Sequence, residues 1–121
     1  MKVDRYIYYA PIVFIRDAFY VFGGHTDKSS TDTQIGKLDA NSVWSKVGDL
    51  QTGRSGHNAI FDGTYALIIG GWAGSKVNVS TEKCSLTSNG ISCTSQNPSL
   101  YYYFRYPELF MIPYDYCKSP P

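Results

Sequence analysis

An excess of charge of either sign is missing from this chain. Eleven lysines and arginines stand against ten aspartates and glutamates, leaving a formal net charge of +1. A near-neutral chain has no electrostatic reason to seek nucleic acid or an anionic membrane. Long apolar runs are missing too, and none approaches the roughly 20 residues needed to span a bilayer. Histidine is scarce: His25 and His57 are the two present, and neither has a second ligand at metal-site spacing. No nucleophile motif surrounds Ser55, His57 and Asp62, the three residues from which a triad would have to be drawn. Nor does a Lys-Ser pair or a helical pattern follow Gly23-Gly24, which removes a phosphate cradle. The expectation is a protein that is not an enzyme and carries neither metal nor cofactor.

A secretory signal is also absent, because Lys2, Asp4 and Arg5 crowd the start and the apolar stretch 12–15 is too short. Either the protein is intracellular or the chain begins inside a longer one. Three cysteines leave one over if two bond, which also points to a partner outside this sequence.

What the chain does have is 43% hydrophobic residues and 16% aromatics, eleven of them tyrosine. That is the make-up of a packed domain with half-buried pleated surfaces. Phe19-Tyr20-Val21-Phe22-Gly23-Gly24 has a second copy in Ala66-Leu67-Ile68-Ile69-Gly70-Gly71, 47 residues later. Each is an apolar run stopped by two glycines, which reads as a buried strand followed by a backbone that only glycine tolerates.

Around these copies the chain divides into units. In the first, residues 6–15 and 19–22 read as two strands joined at Arg16-Asp17. Residues 25–33 read as a loop, 34–38 as a third strand, 39–42 as a turn and 43–47 as a fourth strand anchored by Trp44. The second repeats the order with strands at 58–61, 65–69, 79–86 and 91–95. Its turns fall at Asp62-Gly63 and 87–90, and residues 72–78 form its loop. Superposing the glycine pairs puts Phe14 on Phe61 and Trp44 on Ile91, so the second unit lacks the tryptophan. From Leu100, with Tyr101 to Tyr106 and Leu109 to Ile112, a third unit begins.

Four-strand repeats of this length are the mark of propeller blades. With Gly23, Gly24, the 34–38 strand and Trp44, the first unit resembles a kelch repeat. The second resembles one through Arg54, Gly56, His57, Gly70, Gly71 and Glu82. The missing second tryptophan and the absent third glycine pair depart from that pattern. The resemblance implies an all-β fold of kelch-like propeller blades, each of four antiparallel strands. Residues 1–52 would be the first blade, 53–99 the second and 100–121 the start of a third. It implies a structural, hydrogen-bonding role for His57. Since a propeller needs about four to eight blades, the expectation is an incomplete fragment of a longer propeller, or closure by self-association.

Cys84 and Cys93 flank the last hairpin. If 87–90 form a four-residue loop, Leu86 faces Ile91 and Cys84 faces Cys93, at Cα separations of about 4.5 to 5.5 Å that a disulfide spans. A two-residue Asn89-Gly90 turn would set Leu86 opposite Cys93 and forbid the bond, leaving two buried thiols. The disulfide is the expectation, with roughly 2 to 3 kcal/mol of loop-closure stabilisation, standing in for the absent tryptophan. Cys117 is then free or bonded outside this sequence. Asn78-Val79-Ser80 fits the N-glycosylation sequon. With a disulfide it points to an extracellular, secreted glycoprotein; a cytoplasmic location is the alternative.

Binding residues of a strand scaffold sit on its loops. The candidates are His25, Asp27 and Lys28 after the first glycine pair, and Trp72 and Lys76 after the second, where aromatic and basic groups make an interface hot spot. Trp72 has the competing role of covering the blade edge. The functional expectation is a non-enzymatic module that binds another protein, with no nucleic-acid partner. The competing reading is the scaffold of a galactose-oxidase-like propeller enzyme whose catalytic residues lie in missing blades.

Overall fold

In the computed structural model, residues 7–26, 30–78 and 80–96 are described. The third unit over 100–121, Asp27, Lys28 and Cys117 lie outside them. The fold is all-β. In chain order the strands are β1 (Ile7–Tyr8), β2 (Ile12–Ile15), β3 (Ala18–Phe22), β4 (His25–Thr26), β5 (Gln34–Leu38), β6 (Trp44–Asp49), β7 (Asn58–Phe61), β8 (Tyr65–Ile69), β9 (Trp72–Ala73), β10 (Lys76–Val77), β11 (Thr81–Thr87) and β12 (Gly90–Gln96). Two antiparallel four-stranded sheets carry it, in the orders β2-β3-β5-β6 and β7-β8-β11-β12.

Period-two alternation builds the core between them. From the first sheet Ile15, Ala18, Tyr20, Phe22 and Ile35 point inward; from the second come Ala59, Ala66, Ile68, Cys84, Ile91 and Cys93. Like strands meet across this core, β2 against β7 and β6 against β12. The second sheet therefore follows the first as a copy in the same orientation. At the outer strands the backbones nearly touch, because a side chain on Gly48 would run into the Ile91 carbonyl and one on Gly90 into that of Val47.

The 47-residue offset holds through the first hairpin of each unit: Ile15 pairs with Ala18, Phe14 with Phe19 and Phe61 with Ala66. Gly63-Thr64 is the tip of the second hairpin, one residue later than expected, because Asp62 Oδ1 accepts from Thr64 N at 2.8 Å and Tyr65 N at 2.7 Å.

Three further expectations need correction. The first strand is broken at Tyr9–Pro11: Tyr9 has a positive φ of 53° and Pro11 has no N–H for the ladder. Ile7–Tyr8 pairs instead with His25–Thr26. The loop at 72–78 is a small hairpin, β9 with β10. Most consequentially, Trp44 does not correspond to Ile91. The cross-strand row Phe19–Leu38–Trp44 of the first sheet matches the row Ala66–Cys84–Cys93 of the second. The shift arises because Leu38 and Trp44 are joined by a shorter hairpin than Cys84 and Cys93, while the connection from Phe22 to its partner Ile35 is longer than that from Ile69 to Thr81. Trp44 is half-buried over Gly36 on the outer face and takes no part in the core.

Candidate functional site

Cys84 and Cys93 are directly opposed and disulfide-bonded, with Cα atoms 4.0 Å apart. Ser88-Asn89 is the hairpin tip, closed by the Thr87–Gly90 pair, and this gives the register of the four-residue loop. The bond occupies the row position that Leu38 and Trp44 fill in the first sheet.

A buried polar seam runs between the two glycine pairs. Arg54 is fully buried, and its Nη2 donates to Glu82 Oε2 at 2.7 Å and to Ser80 Oγ at 2.8 Å. Its Nη1 donates to the carbonyls of Ser80 and Gly70, at 2.8 and 3.3 Å. Glu82 on β11 also accepts from Gln51 N at 2.6 Å and Thr52 N at 3.2 Å. One carboxylate thus clamps the segment that leads from the first sheet into the second. Burial pushes the Arg54 guanidinium below its usual range, and Glu82 opposes that shift.

His57 lies in the same seam. Its Nε2 is 2.8 Å from the Phe22 carbonyl, which can only accept, so Nε2 carries the proton. Burial, then the Arg54 charge, push its pKa down to about 3, against the Phe22 hydrogen bond. The imidazole is neutral at physiological pH. The first glycine pair seats here as well: Gly24 N donates to Arg54 O at 2.8 Å. Gly71, at φ +84°, would set a Cβ 2.8 Å from His57 N. Gly23, Gly24, Arg54, His57, Gly70, Gly71 and Glu82 therefore form one connected structure.

Asn78 belongs to this seam rather than to the surface. Its Oδ1 accepts from Ser80 N at 2.9 Å and Ser80 Oγ at 2.8 Å, and its own N donates to Gly71 O. Its Nδ2, where a glycan would attach, is buried and has no hydrogen-bond partner among the described residues. Through these bonds Asn78 forms an Asx turn that presents Ser80 to Arg54. Sequence reading missed Ser80, Gln51 and Thr52, whose roles depend on backbone atoms. An Asx-turn reading of Asn78-Val79-Ser80 is the signal that was there to find.

Ser55, His57 and Asp62 are not brought together as a triad. His57 Nε2 is committed to Phe22, and Asp62 sits past the other end of β7 at an exposed tip. Hydrogen bonds from the Tyr65 and Thr64 amides hold the Asp62 carboxyl below its usual range. Among the described residues no group of three or more His, Cys, Asp or Glu side chains is placed to hold a metal ion.

The described loop candidates, His25, Trp72 and Lys76, fall on two loops that touch. β4, which carries His25, and the β9–β10 hairpin, which carries Trp72 and Lys76, both follow their glycine pairs. Gly74 N donates to Thr31 Oγ1 at 3.2 Å, tying the second loop to the first, and a bridge joins His25 to Thr31. Trp72 exchanges two backbone hydrogen bonds with Ser55, of 2.8 and 2.9 Å, so its Cα is fixed. Lys76 is exposed, while Trp72 and His25 are half-buried. No protein-family model matches the chain, and no curated protein matches it.

Proposed function

We propose that this chain is a non-enzymatic, kelch-like segment of a propeller that binds another protein through the ledge formed by its two glycine-pair loops. The observation that carries the reading is the Gly74–Thr31 hydrogen bond, which makes two loops from different sheets into one surface. On that surface a fixed tryptophan, a histidine and an exposed lysine stand on rigid strands, the usual composition of an interface anchor. The buried seam supports the same reading from the other side, since Arg54 and Glu82 are engaged in holding the scaffold. We assign the protein to an extracellular compartment on the disulfide alone.

The test is affinity capture from the fluid or tissue that expresses the protein, with wild type and a Trp72→Ala/Lys76→Ala variant as parallel baits. A partner enriched by wild type and lost from the variant, with unchanged circular dichroism, supports the ledge. A partner that binds both baits equally sinks it.

A further inference from the structure

The first sheet has an outward face that the second sheet cannot cover. Ile12, Phe14 and Phe19 are 63%, 59% and 46% exposed, and the Phe14 and Phe19 rings touch with centroids 4.9 Å apart. Val21, Leu38 and Trp44 lie on the same face, by register and alternation. Monomeric surfaces seldom keep so many large apolar side chains together.

The molecule itself displays what covers such a face. The residues of the second sheet at the same row positions are Ala59, Phe61, Ala66, Ile68, Cys84 and Cys93, and that face is buried against the first sheet. Its cover is the inward face of a sheet of this build, through Val13, Tyr20 and Phe22. The equivalent positions on the second sheet's own outward face are Ile60, Leu67 and Ile69, half-buried and outside the core cluster. The two described sheets thus present two different outer faces that match the two sides of the interface between them.

Side-chain size supports the pairing. Inside the protein, large Tyr20, Phe22 and Ile35 share one core with small Ala59 and Ala66. On the outward faces the sizes are exchanged: Phe14, Phe19 and Trp44 are large, while Leu67, Ile69 and Thr81 stand where Tyr20, Phe22 and Ile35 stand in the first sheet. Tyr65, in place of Ala18, is the exception, and its ring is occupied by Lys83 Nζ at 3.8 Å.

We infer that copies of this chain stack head to tail, the outward face of one copy's second sheet covering the Ile12–Phe14–Phe19 face of the next. The contact is heterologous, so it closes into a ring or runs on. This goes beyond the ledge reading and does not depend on it.

Light scattering after gel filtration of the full, disulfide-bonded chain tests the inference. Wild type is expected at a whole multiple of its 13.5 kDa. Phe19→Glu blocks one face and Leu67→Glu the other, so each variant alone runs as a single chain. Mixed in equal amounts, the two variants have one intact face each and form a two-chain species and nothing larger. That rescue requires both variants to be folded and the contact to be head to tail. A single-chain wild type at high micromolar concentration overturns the inference, as does a mixture that stays dissociated. Loss of assembly in Phe19→Glu but not in Leu67→Glu also overturns it, because that is the behaviour of a two-fold dimer.

Discussion

Replacing Glu82 by glutamine keeps the shape of the side chain and removes its charge. Arg54 then remains fully buried without a counter-ion, although its bonds to Ser80 and Gly70 survive. The new amide also turns a donor towards the Gln51 N–H, the Thr52 N–H or the guanidinium, all of which are donors themselves. Breaking a buried pair from one side costs about 3 to 5 kcal/mol. A chain of this size has a total stability of roughly 6 to 18 kcal/mol, at about 0.05 to 0.15 kcal/mol per residue. The variant therefore loses a large fraction of its stability. Urea unfolding, followed through Trp44 and Trp72 fluorescence, should show the midpoint falling by about 2 M for a slope near 2 kcal/mol/M. Asp49→Asn is the control. It breaks the Lys46–Asp49 pair, whose side chains are about half exposed, and surface pairs contribute only about 0 to 1 kcal/mol. Pairing Glu82→Gln with Arg54→Met should recover part of the loss, because the orphaned charge is gone. A Glu82→Gln midpoint no lower than that of the control would refute the clamp.

Acid should weaken the fold through His57, whose folded pKa is depressed to about 3 from 6.5. The unfolded chain binds the proton first, so the stabilisation is present above pH 6.5 and is lost as pH falls towards 3. The loss is about 2 to 3 kcal/mol at about pH 4.5, and the difference between wild type and His57→Gln melts across this range should show it. Cys84→Ala/Cys93→Ala should cost roughly 2 to 3 kcal/mol, by the loop-closure entropy of a nine-residue separation; an unchanged urea midpoint would contradict this. Gly71→Ala should destabilise by more than Gly74→Ala, since both have positive φ but only the former meets packed backbone, at His57. Equal thermal shifts would refute the close approach. Finally, protein made through a secretory pathway and analysed by intact mass should carry no glycan at Asn78, whose Nδ2 is buried; a sugar-bearing folded species would show that this seam opens.

Local and periodic information sufficed for much of this protein. The doubled glycine-stopped strand placed the two units, because an apolar run ended by two glycines is a local pattern. The strand β5 falls at the expected residues, and the Cys84–Cys93 register follows from a turn that sequence had narrowed to two choices. Other features depended on distances that no local pattern encodes. Trp44 was misaligned because the lengths of the connections, not a fixed repeat spacing, set cross-strand rows. Asn78 read as a sequon because that triplet is local, whereas the burial of its Nδ2 is decided by the tertiary fold. The clamp of Glu82 on the Gln51 and Thr52 amides joins backbone to side chain across about thirty residues, and backbone donors have no signature in the sequence. Composition and periodicity determined the sheets; only their stacking decided which faces are core and which apolar face stays exposed.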